Sequence, residues 1–115
     1  MAVQKTHDVE SLPACPVETT LCLIGNKWKV LILRELRHGR RRFTELKRAV
    51  GGISQKVLTA NLRSMEADGL LSRQSFAEVP PRVEYELTEL GMSLSPVLDS
   101  LSAWGTRYQQ IVGQN

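Results

Sequence analysis

The chain has 115 residues, of which 42% are apolar, and a formal charge of +3. That is enough for one domain with a modest core, and a domain of this size is often only marginally stable alone, so an oligomer is expected. It has no apolar run long enough to cross a bilayer and no apolar N-terminal targeting core, which predicts a cytoplasmic protein that neither enters a membrane nor is secreted, and two cysteines in that compartment make no disulfide framework.

Residues 1–14 lack hydrophobic periodicity and read as a flexible arm, so a single domain is expected over 15–112. Pro13 and Pro16 bracket Cys15, and PVETTLCLIG then reads as a short helix with Val17, Leu21 and Ile24 on one face and Gly25 as its stop. Lys27 to Arg37 repeats Trp28, Leu31, Ile32 and Leu36 at helical spacing, with Glu35 as a polar exception and Gly39 beyond the end. Between Arg34 and Arg48, Arg34, Arg37, Arg40, Arg41, Arg42, Lys47 and Arg48 stand against only Glu35 and Glu45, whereas Glu84, Glu86, Glu89 and Asp99 make the C-terminal part acidic. Such asymmetry suits a polyanion, with nucleic acid ahead of an anionic membrane surface. A third helix follows around 44–50, with Thr44 as its expected N-cap.

Gly51 and Gly52 supply a tight turn, and Ser54 can cap the most regular helix of the chain. At 100° per residue Leu58, Leu62 and Met65 fall on one side, while Lys56, Thr59, Ala60 and Arg63 fall on the other. Gly69 stops this helix. LLSRQSF and RVEYEL then read as two strands joined by AEVPPR, whose paired prolines stiffen the tip beside Arg82. Thr88 caps a last helical region reaching about Val112, bent or broken near Ser95 and Pro96.

The fold class is therefore mainly α with a small β-hairpin (α+β), in the order of a winged helix-turn-helix. In that geometry the second helix enters the major groove of double-stranded DNA and the first braces it. Ser54 and Gln55 lie at a helix N-terminus, where phosphate is favoured. Lys56, Thr59 and Arg63 face base edges or phosphates, Arg42 precedes the supporting helix as a phosphate contact, and Arg82 is placed for a minor groove. Each has a blander alternative: a merely solvated helix face, a soluble basic loop, or Arg82 paired with Glu78 or Glu84. Trp28 and Trp104 read as core or interface anchors.

The segments CPVETTLCLIGNKW, RRFTELKRAVGGISQKVLTANLRSMEADGLL and VPPRVEYELTELG resemble those of the HxlR-type group of bacterial winged-helix transcriptional regulators, relatives of the MarR-like proteins. The resemblance implies a homodimer joined by N- and C-terminal helices. It also implies one recognition helix and one wing per subunit on a pseudo-palindromic operator, with Ser54, Gln55, Lys56, Thr59 and Arg63 as recognition residues and Arg82 on the wing. Repression by operator occupancy is the expected mode, and activation is the alternative, since the placement of the site in the promoter decides the sign. Asn26, Gly51 and Cys22 depart from the group's usual glycine, proline and aspartate. Some members sense oxidants or electrophiles through a cysteine where Cys15 stands, so an effector acting at Cys15 is an expectation; a helix N-terminus would stabilise its thiolate, and the alternative is a quiet thiol. If both are helical, Cys15 and Cys22 lie about 10 Å apart along the axis, too far for a disulfide.

A protein-binding winged helix that does not read DNA is the alternative function. A thiol enzyme built on Cys15 fares poorly, because His7 and His38 have no metal-ligand spacing and no phosphate loop or nucleophile elbow occurs. No enzyme activity, cofactor or metal is expected.

Overall fold

The computed structural model describes residues 11–113. Residues 1–10, which hold most of the expected arm and His7, lie outside that description. The elements run α1 (Pro16–Ile24), α2 (Lys27–Leu36), β1 (Arg41–Arg42), α3 (Phe43–Val50), α4 (Gln55–Ala67), β2 (Leu71–Phe76), β3 (Arg82–Leu87), α5 (Glu89–Met92) and α6 (Ser95–Gly113). The sheet is antiparallel in the order β1-β3-β2.

The core forms where the apolar stripes of three helices meet the base of the hairpin. Ile32, Leu33 and Leu36 of α2, Leu46 of α3, and Leu58, Leu62 and Met65 of α4 are sealed from solvent together with Leu70 and Leu71. Each such side chain contributes about 1.5–3 kcal/mol by leaving water. The stripe expected on α4 is thus the buried one, and its opposite face is left outside. On α1 the expected stripe divides: Ile24 is buried, whereas Val17 and Leu21 are exposed.

Local polar groups fix the helix starts. Ser54 Oγ accepts from Val57 N at 3.1 Å, and Thr88 Oγ1 accepts from Gly91 N at 3.1 Å while donating to Gly69 O at 2.6 Å. Gly51 and Gly52 have φ of 71° and 70°, the left-handed backbone expected of that turn. α3 corrects the expected Thr44 cap. Arg42 holds the cap position, extended at φ −75° and ψ 155°, and Glu45 Oε1 accepts from Arg42 N at 2.8 Å. The shift follows from β1, whose pairing of Arg41 with Tyr85 and Arg42 with Glu84 keeps the backbone extended up to the first helical residue, Phe43. The break near Ser95 falls between α5 and α6, with Pro96 in the first turn of α6, where no N–H is missed.

Candidate nucleic-acid interface

The helix pair α3 and α4 presents the regular outer face of α4 to solvent. Gln55, Lys56, Thr59, Ala60 and Arg63 line one continuous shallow surface there, because spacings of three and four residues return to the same side of a helix. Ser54 is exposed at the start of that face. Beside it opens a groove of about 980 Å3 between α4, the start of α3 and the hairpin. Thr59 and Arg63 form one wall, Arg42 and Phe43 one end, and Arg73, Pro80 and Pro81 the hairpin side. The structure therefore brings Gln55, Thr59, Arg63, Arg42 and Arg82 to a single concavity, with Lys56 and Ser54 on the adjoining surface.

The basic run ahead of α3 is tied to the sheet. Glu84, only 14% exposed at its side chain, lies 3.5 Å from Arg40 Nη1, 4.0 Å from Arg42 Nε and 2.9 Å from Arg82 Nε. Arg40 also reaches Glu86 at 3.2 Å, and this hydrogen bond, with a smaller share from Glu84, raises its pKa above the ordinary arginine value. Arg82 is held further by Glu78 at 3.2 Å and by the Phe76 ring, whose centroid lies 4.1 Å from its guanidinium carbon. Both carboxylates weighed as partners for Arg82 thus engage it. Arg73, which sequence reasoning did not single out, lines the groove and has no ion-pair partner among the described residues. Its signal was the period-2 alternation of LLSRQSF, which puts it on the same strand face as buried Leu71.

Cys15 is a free, exposed thiol in the N-cap position of α1, and Cys22 is also free and exposed. No group of His, Cys, Asp and Glu among the described residues could hold a metal ion. None of the described helices is long and apolar enough to cross a membrane.

The family model for the HxlR-like helix-turn-helix matches residues 23–112, from the end of α1 through nearly all of α6. The chain belongs to the HxlR-like helix-turn-helix family. Among its HxlR-like relatives, the uncharacterized HTH-type transcriptional regulator YtcD of Bacillus subtilis is 53% identical over 92 residues, 80% of this chain and 73% of YtcD. The crystal structure of YtcD superposes with a TM-score of 0.79 at 51% identity, covering 84% of this chain and 98% of that one. The redox regulator HypR in its oxidized form aligns at 44% identity with a TM-score of 0.76, covering 81% of this chain and 96% of HypR. Within an HxlR-like regulator, α3, the Gly51-Gly52 turn and α4 are the helix-turn-helix, and the β2–β3 hairpin is the wing. The protein is a helix-turn-helix transcriptional regulator.

Proposed function

We propose that the chain is a sequence-specific double-stranded DNA-binding regulator that acts as a homodimer and represses by occupying a pseudo-palindromic operator in the cytoplasm. The observation that carries this reading is the outer face of α4, where Gln55, Lys56, Thr59 and Arg63 stand exposed or half-exposed beside a groove rimmed by arginines. A helix whose back is wholly committed to the core has only that face with which to read a base edge, and Arg63 is the residue suited to a bidentate bond with guanine. Ser54 and Gln55 sit where backbone N–H groups and the helix dipole favour a phosphate, and Arg42 and Arg82 line the same groove.

Dimerisation is supported by apolar surface that the folded chain leaves uncovered. Val17 and Leu21 of α1 and Leu101, Trp104, Tyr108 and Ile111 of α6 are all at least half exposed, and Trp104 stacks on Tyr108 with ring centroids 5.4 Å apart. Leu101, Trp104, Tyr108 and Ile111 recur at spacings of three and four and so share one face of α6, and an uncovered apolar face of this kind marks an interaction site. A symmetric pair would set two α4 helices about one helical turn of DNA apart, ~34 Å.

Cys15 gives the regulator a candidate switch for an oxidant or electrophile. Its support is an exposed thiol at the start of a helix that carries part of the uncovered apolar surface, so an adduct there would bear on how the subunits meet.

The direct test is a gel shift with the chain's own promoter region, comparing the wild type with Lys56→Ala/Arg63→Ala. Retardation by the wild type, preference over random duplex and loss of that preference in the variant are the expected results. Equal retardation of both duplexes by both proteins would leave a winged helix that does not read sequence.

A further inference from the structure

The wing carries two arginines that the fold treats differently. Arg73 on β2 pairs across the ladder with Tyr85 on β3, and Arg82 on β3 pairs with Phe76 on β2. Alternate strand residues point to opposite faces. Arg73 therefore shares a face with Leu71 and Tyr85, both buried against the helices, and beyond the edge of that core it meets the groove walled by Thr59 and Arg63. Arg82 and Glu84 start from the other strand face, where Glu84 gathers Arg40, Arg42 and Arg82, so that Arg82 lines the same groove as a residue already bound to carboxylates.

Partners separate the two residues further. Arg82 is only 26% exposed at its side chain, ion-paired to Glu78 and Glu84 and laid over Phe76. A phosphate approaching it would have to displace carboxylates that already neutralise it. Arg73 is exposed, and neither it nor Arg63 across the groove has a carboxylate within ion-pair distance among the described residues. A cation without a protein partner is free to neutralise a phosphate, and the counterions thereby released from the duplex set the salt dependence of binding.

Resting on the DNA-binding reading above, we infer that Arg73 is the wing's phosphate-contacting residue, seating a strand of the duplex in the groove opposite Arg63, and that Arg82 is a positioning residue. Arg82 locks the wing tip to the strands, through Glu78 at the tip and Glu84 and Phe76 below it, and so sets the width of the groove that Arg73 lines. Losing Arg73 removes a charge contact. Losing Arg82 loosens a frame and leaves the charge contacts of the others in place.

The test is the salt dependence of binding, measured by fluorescence anisotropy between ~50 and ~200 mM salt on a mixed-sequence duplex and on a duplex selected for tight binding. Arg73→Ala is expected to weaken binding to both duplexes alike and to lower the slope of log affinity against log salt by about 0.9 per bound subunit, with Arg73→Lys restoring the slope. Arg82→Ala is expected to keep the wild-type slope, to weaken binding, and to speed hydrogen exchange in the β2–β3 hairpin, and Glu78→Gln to reproduce the faster exchange. A slope unchanged in Arg73→Ala, or lowered in Arg82→Ala but not in Arg73→Ala, overturns the division while leaving DNA binding intact. A wild type with no salt-dependent affinity for any duplex overturns it together with the reading on which it rests.

Discussion

Asn26 Nδ2 donates to Asn61 Oδ1 at 3.1 Å, joining the turn before α2 to the buried back of α4. The same Asn26 side chain accepts from Lys29 N at 2.9 Å as the N-cap of α2, and Asn61 Nδ2 donates to Val57 O at 2.9 Å. One residue thus starts a helix and anchors the outward-facing helix from behind. Asn26→Ala should cost about 1 kcal/mol for the lost cap and about 1 more for the stranded Asn61 carbonyl. Asn26→Gly keeps most of the cap energy, so it should cost roughly half as much; urea denaturation of the two variants checks the order, and equal losses would remove the capping role.

A second tether lies one turn on. Lys29 Nζ donates to Ser64 Oγ at 2.9 Å from a side chain that is almost wholly buried. The cost of cutting it is asymmetric, because an ammonium deprived of its partner loses more than a half-buried hydroxyl that water can reach. Ser64→Ala should therefore destabilise by about 1–2 kcal/mol, and Lys29→Met by less, as read from denaturant midpoints at unchanged slope. The reverse order would mean that the Lys29 stem, through its packing, matters more than its charge.

The helices, their stops and the hairpin could be read from the chain because each rests on a local rule: period for α2, period and cap for α4, paired glycines for the turn, alternation for β2 and β3. β1 could not, since two residues show no period and its existence depends on β3 approaching from more than forty positions away. That distant pairing also displaced the expected cap of α3 from Thr44 to Arg42. The outer face of α4 was visible as the polar side of a periodic helix. The hub at Glu84 was not, because a single carboxylate serving Arg40, Arg42 and Arg82 is a property of strand register and not of sequence spacing. Val17 and Leu21 show the limit of periodicity from the other side: it finds an apolar stripe without saying whether the chain's own core covers it.

Gly51 has φ 71° and ψ 136°, a conformation that a Cβ disfavours even though open space surrounds it. Gly51→Ala should cost about 1–3 kcal/mol through backbone strain alone. Because the turn aims α4, the same variant should lose DNA affinity beyond what its unfolded fraction accounts for. Denaturation and anisotropy on one sample separate the two effects; undiminished stability would show that the turn adopts another path.

Trp104 is 65% exposed and stacked on Tyr108 along a helix whose only buried side chain is that of Leu98. Trp104→Ala/Tyr108→Ala should therefore hardly change the stability of the isolated subunit, while raising the dimer dissociation constant at least ~30-fold, the loss of about 2 kcal/mol expected of an aromatic anchor. Sedimentation across a concentration series reads this directly. A wild type that stays monomeric at high concentration would leave α6 to another partner.

Selection of bound duplexes from a random pool tests the central claim, that two copies present paired α4 helices to one stretch of DNA. The expected result is an enriched inverted repeat with half-site centres about 10 bp apart, lost when Lys56 and Arg63 are replaced together by alanine. Enrichment of a lone half-site, or of nothing above the starting pool, would contradict it.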